Sequence, residues 1–427
     1  MPIEQQFSPD RYDVSHGATL SVHLDHEQDD VCSHDRRRLL STSALHPQDK
    51  IDKLVTLALT GLPQMHRNGA FGHTLRAHTK GHPSTVELEG DNLRYTAIVA
   101  LGIGLVPEAV QMKTLGGKTA SELARLCVER AEKSDDLGAI TLAAWAAAEV
   151  GGFYAWRLFD TLGKYLASNA PIETVSCAWA LTAGLAAARY SDTQDVVSLA
   201  AKRLLVGQSS HGVFPHTISA KSNRRFRAHV GCFADQVYPI QALSRLHVAK
   251  GDRQALAAAE ACAEKICALQ GPAGQWWWHY DTRNGQVVEG YPVYSVHQHG
   301  MAPMVLLDLK DAGGKDHSDA IIKGLDWLED HPEQTEPLID REIGVIWRKV
   351  ARREPGKTVR WLSAITTAAS PGLRIPGLDA IFPPRAIDYE CRPYELGWLL
   401  YAWLSGGTVA ALSCKHAEKN TGHSGGT

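Results

Sequence analysis

Two kinds of helical pattern alternate along this chain, and their alternation constrains the fold more than any other feature. Apolar residues recur every three or four positions through most of the sequence, which predicts helices. One kind is amphipathic, as in residues 121–133 and 253–269, and is typical of a helix with one side in water. The other kind, in residues 137–150, 175–188 and 301–309, is apolar nearly all round and must be enclosed by protein. The alternation therefore predicts a closed ring of paired helices.

The predicted ring has six outer and six inner helices. Helical spacing of apolar residues occurs near 50–63, 91–105, 118–132, 135–150, 155–169, 173–189, 192–207, 233–249, 253–269, 295–311, 317–330 and 390–404, with weaker patterns at 336–352 and 357–368. Strand-like alternation is confined to short pieces such as residues 286–289, beside the Asn284-Gly285 turn. We therefore predict an all-α protein, a single (α/α)6 toroid of alternating outer and inner helices over residues 48–405.

The two ends of the chain lack this pattern. Residues 1–47 are polar and rich in His and Asp, which predicts a disordered polar arm, and residues 406–427 are predicted to be a flexible tail. The Asp and His residues between positions 25 and 35 are interpreted as a solvated run rather than a metal site.

Composition excludes several classes of function. The net charge of −3 and a pI near 6.7 provide no basic field for nucleic acid, and no apolar run is long enough to cross a bilayer. The basic run at 224–227 is interpreted either as a solvated loop or as a loop that grips an anion. The eight cysteines form no CxxC pair and no signal peptide is apparent, so we expect reduced thiols and a cytoplasmic location. No HExxH motif or Cys/His frame with zinc spacing occurs, so we expect no metal and no cofactor.

A short repeat follows several outer helices. Residues 208–214 and 270–276 both fit Gln-x3-Gly-x-aromatic, and residues 64–71 fit it with one insertion. We expect the glutamine to bond open carbonyls at the helix end, the glycine to adopt a positive φ, and the aromatic ring to plug the joint. These segments resemble the QW repeats of terpenoid cyclases and prenyltransferase toroids. The single-ring length also resembles the six-hairpin carbohydrate-active enzymes, namely uronyl hydrolases, sugar epimerases and toroidal polysaccharide lyases. Both resemblances cover about residues 50–405 and imply an α/α toroid.

The connector between two predicted helices, residues 269–304, holds the densest group of aromatic and titratable side chains. Its candidate site residues are Trp276, Trp277, Trp278, His279, Tyr280, Asp281, Tyr291, Tyr294, His297 and His299. Tryptophan and tyrosine combine a large apolar area with a polar group, which suits the wall of a ligand cleft. The alternative is that the three tryptophans only plug the end of the helical ring.

In such a ring, the turns that open the inner helices meet at one mouth. Outside the connector, the candidate residues in these turns are Asp91, Arg94, Tyr95, Asp235, Tyr238, Arg392, Tyr394 and Glu395. Acidic residues at helix N-termini also serve as caps, which is a sufficient explanation for Asp91. Capping does not explain the arginines and tyrosines beside them.

These residues predict an enzyme that acts on a saccharide or a uronate glycan, as a hydrolase, lyase or epimerase. Aromatic rings stack on sugars, and Arg94 or Arg392 would bind a uronate carboxylate. We predict His297 and Tyr294 as the acid/base pair, Asp235 as a second acid, and the three tryptophans as the binding platform. The alternative is a terpenoid cyclase-like or prenyltransferase-like enzyme acting on an isoprenoid, although the sequence has neither Asp-x-Asp-Asp nor Asp-Asp-x-x-Asp. A further alternative is a non-catalytic toroid that binds a partner or lipid.

Overall fold

This computed structural model consists of six helical hairpins, each with an outer helix followed by an inner helix. It describes residues 36, 46–78, 85–168, 170–219 and 227–413. The outer and inner helices are, in chain order, α1 (His46–Gly61) and α2 (Leu93–Ile103), α4 (Ala120–Ala131) and α5 (Leu137–Ala146), α6 (Trp156–Ala167) and α7 (Thr174–Ala187), α8 (Gln194–Gly207) and α9 (Phe233–Lys250), α10 (Arg253–Ala268) and α11 (Ala302–Asp311), and α12 (Ser318–Trp327) and α15 (Pro393–Leu404). Three further helices lie in connections: α3 (Glu108–Thr114), α13 (Thr358–Ala369) and α14 (Leu378–Ile381).

The inner helices close a ring. Each of α2, α5, α7, α9 and α11 contacts the next inner helix, and α15 contacts α2. Their sequences explain this placement, because nearly every residue of α5 and α7 is buried. The junction of α2 with α15 is especially close: a Cβ atom on Gly102 would lie 2.3 Å from the carbonyl oxygen of Gly397. The prediction of an all-α toroid is confirmed.

Short antiparallel strands line one end of the ring, where the inner helices begin. They are β1 (His66–Arg67), β2 (Ala70–Phe71), β3 (Thr74–Ala77), β4 (Val86–Glu89), β5 (Ile172–Glu173), β6 (Thr217–Ile218), β7 (Val230–Cys232), β8 (His279–Asp281), β9 (Val287–Glu289), β10 (Val293–Tyr294), β11 (Ile339–Asp340), β12 (Val345–Ile346), β13 (Lys349–Ala351), β14 (Ala386–Asp388) and β15 (Glu390–Cys391). A strand precedes every inner helix except α5. Pairs such as β5 with β6, β7 with β8, and β10 with β13 join connections from neighbouring hairpins, and β15 with β3 joins the last hairpin to the first. These pairings fix where each inner helix starts.

The Gln-x3-Gly-x-aromatic repeat ties neighbouring outer helices together. Gln208 Nε2 donates to the carbonyl of Gly212 at 2.9 Å and to that of Ala258, in the next outer helix, at 2.8 Å. Gln270 makes the same pair of bonds to Gly274 and Ala320, both at 2.9 Å. Both glycines have positive φ, and the aromatic residues that follow are buried. The expectation that the glutamine bonds the end of its own helix is therefore wrong, since it bonds its own loop and the next outer helix.

Several predicted boundaries need correction. Residues 336–352 form strands β11, β12 and β13, not a helix, because a turn at Gly344 splits the segment. Within the predicted arm, Arg36 is fully buried and α1 already begins at His46. Within the predicted tail, Val409 is fully buried. Residues 1–35, which include the His and Asp run, residues 37–45 and 414–427, and residues 224–226 of the basic run lie outside the described residues. Of the eight cysteines, the six at described positions are free thiols, and no helix in the described ranges is long and apolar enough to cross a membrane.

Candidate functional site

The first turns of the inner helices surround a cavity of about 440 Å³, which we call the mouth cavity. All six inner helices or the turns leading into them contribute to it. Its lining residues are Asn92, Arg94, Tyr95, Ile98, Asp136, Val175, Trp179, Cys232, Ala234, Tyr238, Trp278, Tyr294, His297, Met301, Arg348 and Tyr394. The ring therefore gathers aromatic rings and charged groups from distant parts of the chain at one opening.

One wall of the mouth cavity carries Tyr294 and His297, whose ring centroids are 5.1 Å apart. His297 lies in a π-helical turn at His297–Met301, an irregularity that is frequent at functional sites. Burial lowers the pKa of His297 to about 3, although a hydrogen bond with the backbone of Trp276 opposes this shift. The imidazole is therefore neutral at pH 7. Its Nδ1 is buried and has no hydrogen-bond partner in the structure.

Arg348 places a positive charge beside Tyr294. Its guanidinium carbon lies 4.9 Å from the centroid of the Tyr294 ring, and its Nε lies 3.3 Å from a carboxylate oxygen of Glu395. Glu395 is fully buried and also accepts the backbone N–H of Arg392 at 3.0 Å, as the cap of α15. Burial raises the pKa of Glu395 to about 7, against the opposing charge of Arg348. The Glu395 carboxyl group therefore gains and loses its proton near neutral pH.

The opposite side of the mouth cavity contains an ion pair between Arg94 and Asp136. Arg94 Nε donates to an Asp136 oxygen at 2.7 Å, and its Nη2 bonds the other oxygen. Asp136 also caps α5 through the N–H of Gly138. Burial raises the pKa of Asp136, but the hydrogen bond and charge of Arg94 outweigh this effect and hold the pKa below its usual value. This carboxylate is therefore ionised at neutral pH.

A second cavity, of about 400 Å³, adjoins the first and shares Trp278 and Cys232 with it. We call it the side cavity; its walls include His216, Arg227, His279 and Arg360. The Arg360 guanidinium lies 4.4 Å from the centroid of the Trp278 ring. Arg227 and Arg360 form no ion pair among the described residues, and the Nε atom of each is buried without a hydrogen-bond partner.

Arg227 and Arg360 experience an unfavourable environment for a cation. Burial lowers the pKa of both arginines, and the charge of Arg360 lowers the pKa of Arg227 further. Burial and these two arginines also lower the pKa of His279 well below its ordinary value. The side cavity therefore has an uncompensated positive potential, which an anion would relieve.

His216, Cys232 and Asp235 lie where the two cavities meet. His216 Nδ1 is 3.2 and 3.3 Å from the two carboxylate oxygens of Asp235, which is fully buried. One of these oxygens also accepts the backbone N–H of Cys232 at 2.7 Å. One ligand atom from each of the three side chains lies within 4.8 Å of the others. The hydrogen bond and charge of Asp235 raise the pKa of His216.

The structure brings only part of the predicted site together. The predicted residues that line the mouth cavity are Arg94, Tyr95, Tyr238, Trp278, Tyr294, His297 and Tyr394. Arg392 and Glu395 do not line the mouth cavity but contact residues that do. Arg392 Nη1 donates to the hydroxyl of Tyr95 at 2.9 Å, and Glu395 accepts a hydrogen bond from Arg348. Asp235 is enclosed and bonded to His216 and Cys232, so it does not face the mouth cavity as a direct acid.

The three tryptophans do not form one platform, because successive residues of an extended chain point to different sides. Trp276 is fully buried against Phe233, Trp277 packs on Tyr291 in a groove away from the mouth, and only Trp278 lines the mouth.

The remaining predicted residues have structural environments outside the mouth cavity. Tyr280 and His299 are fully buried, and Asp281 is buried in an ion pair with Arg283. Tyr291 donates its hydroxyl to Glu333 at 2.8 Å. Asp91 is paired with Arg130 on the surface.

Sequence reasoning missed Arg348, Trp179, Cys232 and Arg360. Arg227 is the last residue of the basic run, for which a loop that grips an anion is one of the two sequence interpretations. Arg348 lies just before β13, in the segment predicted to be a helix. The β-branched run that begins after Gly344 was the signal for a strand. His216 lies 16 positions before Cys232 and 19 before Asp235 in the sequence, and no local motif indicates that the three form a cluster.

No family model and no curated protein matches this chain. Its fold is similar to solved structures of unsaturated glucuronyl hydrolases. A variant of UGL with dGlcA-Glc-Rha-Glc is 14% identical with a TM-score of 0.52, over 84% of this chain and 96% of that one. The enzyme from Bacillus sp. GL1, responsible for the degradation of glycosaminoglycan, is 13% identical with a TM-score of 0.51, over 84% and 96%. The enzyme from Streptococcus agalactiae is 12% identical with a TM-score of 0.50, over 88% and 96%. The predicted resemblance to six-hairpin carbohydrate-active enzymes is thus confirmed for the fold.

Proposed function

We propose that the protein is an enzyme that acts on an acidic saccharide, and that it cleaves a uronate glycan by β-elimination. The observation that carries this proposal is the wall formed by Tyr294, His297 and Arg348. It combines a neutral imidazole with a free nitrogen, a phenol and a cation on one side of the mouth cavity. Elimination next to a carboxylate needs a base, an acid and a charge that stabilises the developing carboxylate dianion.

The two cavities supply the binding groups for such a substrate. Tyr95, Trp278 and Tyr394 offer aromatic faces on which sugar rings stack. Arg348 would receive the carboxylate of the reacting uronate, since arginine binds carboxylates in a bidentate manner. Arg227 and Arg360 would receive the acidic group of a neighbouring sugar, because neither has an anionic partner in the described part of the chain.

In the proposed chemistry, the neutral imidazole of His297 is the base and the phenol of Tyr294 is the acid. His297 Nδ1 takes the proton from the carbon next to the carboxylate, and the electron pair of the broken C–H bond moves into the carboxylate. The C–O bond at the neighbouring carbon then breaks as a double bond forms, and Tyr294 gives its proton to the departing oxygen. Both groups lie on one wall, which suits elimination on one face of the sugar; epimerisation would need an acid on the opposite face.

Hydrolysis is the second candidate, favoured by two carboxyl groups of unlike character. Asp136 is ionised at the mouth cavity, whereas burial raises the pKa of Glu395 to about 7. Glycosidases use such an unlike pair as base or nucleophile and acid. Glu395, however, lies beneath Arg348 and does not line the mouth cavity, so elimination is favoured. The charged lining of the mouth cavity also differs from the deep apolar pocket that an isoprenoid substrate would need.

The test is to incubate the protein with oligosaccharides that contain glucuronate or galacturonate and to follow ultraviolet absorbance and reducing ends together. Elimination raises both, because its product carries a double bond conjugated with the carboxylate. An increase in reducing ends without an increase in ultraviolet absorbance would indicate hydrolysis instead of elimination. Neither signal, together with no rise in melting temperature in the presence of any acidic saccharide, would contradict the proposal.

Two variants assign the roles. Tyr294→Phe and His297→Gln are each expected to lower kcat by about 10²–10⁴-fold. The matched control is Tyr190→Phe, because Tyr190 is exposed and lines neither cavity. Full turnover by either site variant would remove that residue from its role.

A further inference from the structure

We propose that His216, Cys232 and Asp235 form a binding site for one divalent transition-metal ion of the zinc class. The three residues lie in the connection between α8 and α9 and in the first turn of α9. Cys232 and Asp235 occupy the start of α9, and His216 precedes β6. Strand β7, which ends at Cys232, and β6, which begins after His216, hold them at the boundary of the mouth and side cavities.

The spacing of the donor atoms fits adjacent corners of a metal tetrahedron. Zinc bonds to imidazole nitrogen and carboxylate oxygen are about 2.0–2.1 Å, so the nitrogen and oxygen of a tetrahedral site lie about 3.3 Å apart. His216 Nδ1 lies 3.2 and 3.3 Å from the oxygens of Asp235. These distances also allow a hydrogen bond, although one between imidazolium and carboxylate is typically shorter, about 2.7–2.9 Å. All three donor atoms lie within 4.8 Å of one another, so the thiol needs a movement of about 1 Å to complete the set.

The charge of Asp235 also calls for a cation. Its carboxylate is fully buried, and His216 is its only partner among the ion pairs of the described residues. A buried charge is costly unless it is paired. His216 can supply a positive charge only when it is protonated, whereas a divalent ion would supply it permanently. Arg227, which also faces the side cavity, opposes a cation here; the carboxylate together with a Cys232 thiolate would balance the two charges of the ion.

The types of ligand indicate the metal. A thiolate with an imidazole and a carboxylate suits Zn²⁺, and also Co²⁺ as its spectroscopic substitute, whereas Mg²⁺ and Ca²⁺ prefer oxygen ligands. Three protein ligands leave a fourth position open. The side chain of His216 is 57% exposed, so this position would face the cavities. A three-ligand site with one open position is the arrangement of catalytic rather than structural zinc.

The experiment measures metal binding without any saccharide, so it is independent of the proposed elimination. The full chain is stripped with a chelator and titrated with Co²⁺, and thiolate-to-cobalt charge transfer is recorded in the near ultraviolet. Stoichiometry alone would not decide, since the chain has 20 histidines. The charge-transfer band does decide, because it requires a cysteine ligand. We expect one band-forming Co²⁺ per chain, displaced by Zn²⁺.

The variants separate ligands from bystanders. Cys232→Ser should abolish the band, and His216→Ala and Asp235→Asn should weaken binding by about 100-fold or more. Cys267→Ser is the control, because this half-buried thiol lies outside the cluster. The melting temperature of each apo variant, compared with that of the apo parent, shows whether it folds. A parent protein without the band, or a folded Cys232→Ser variant that retains it, would overturn the proposal.

Discussion

The two ends of the helical ring differ in how completely their buried polar and charged groups are paired. At the end where the inner helices finish, Asp308 accepts Arg245 Nε at 2.7 Å and Gln241 Nε2 at 3.1 Å, and it also binds Arg36. Arg245 donates in turn to the hydroxyl of Tyr401 at 2.8 Å. Burial raises the pKa of Asp308, but the charges of Arg245 and Arg36 outweigh this effect and hold the pKa below its usual range. At this end, buried cations and anions neutralise one another.

At the end where the inner helices begin, several polar groups lack such partners. The buried Nε atoms of Arg227 and Arg360 and the Nδ1 of His297 have no hydrogen-bond partner among the residues that the structure describes. A protein gains nothing in stability from such groups, since burial without a partner costs free energy. The contrast therefore separates charges that hold the ring together from charges available to a ligand.

The largest expected effect comes from breaking the neutralised end. Asp308→Ala would remove the fully buried anion that Arg36 and Arg245 share, and we expect the free energy of unfolding to fall by about 3–5 kcal/mol. Arg36 would keep only the carboxylate of Asp311, and Arg245 only the more distant one of Glu149. Urea unfolding measures this change. The control is Asp49→Ala, which removes an exposed pair with Lys53 and should cost about 0.5 kcal/mol or less. Equal effects of the two substitutions would contradict the assignment of this network to stability.

The next effect is a pH dependence located at the mouth. Burial raises the pKa of Glu395 from an ordinary 4.5 to about 7, so the native state binds this proton more tightly than the unfolded state. The contribution of Glu395 to stability is therefore fully present below about pH 4.5, is lost as the pH rises through about 7, and amounts to about 3 kcal/mol.

Glu395→Gln cannot titrate, and it keeps one of the two oxygens that accept the N–H groups of Arg392 and Arg348. We expect the parent protein to lose more stability between pH 4.5 and 8 than this variant does. Asp136→Asn provides a control of opposite sign, because the low pKa of Asp136 stabilises the ionised form and its contribution is lost on acidification. Parallel pH profiles for the parent and Glu395→Gln would show that Glu395 is ionised in the native state.

The sequence predicts the ring because the ring depends on periodicity. Helices such as α5 and α7 are apolar on all sides, so their enclosure follows from local composition. The turns that open the inner helices could also be read directly, which is why Arg94, Tyr95, Tyr294 and Tyr394 were predicted and are found together. An apolar pattern that repeats every three or four residues can be recognised from the sequence without knowing which segment packs against it.

The side cavity could not be predicted in this way. Arg227, Trp278 and Arg360 come from three separate connections, and only the pairing of β7 with β8 and the packing of α13 on β9 bring them together. The positions of Trp276, Trp277 and Trp278 could not be predicted from the sequence for the same reason. Their sequence is uniform, yet one ring is in the core, one in an outer groove and one at the mouth. Long-range pairing of short strands decides these positions.

The smallest expected effect on stability, and the sharpest test of the contrast, comes from the arginines of the side cavity. Arg227→Met and Arg360→Met should each change the free energy of unfolding by less than about 1 kcal/mol, because each removes a buried cation without an anionic partner. The same substitutions should weaken the binding of an acidic saccharide by about tenfold or more, as expected for a lost charge-assisted hydrogen bond. Calorimetry at two salt concentrations measures this loss, and saccharide binding by the parent protein should depend more strongly on salt than binding by either variant.

The control is Arg157→Met, which removes an exposed arginine paired with Glu132 and should alter neither binding nor its salt dependence. If both side-cavity variants bound the saccharide as the parent does, the unpaired charges at the mouth would not belong to the substrate site, and the contrast between the two ends would reflect folding alone.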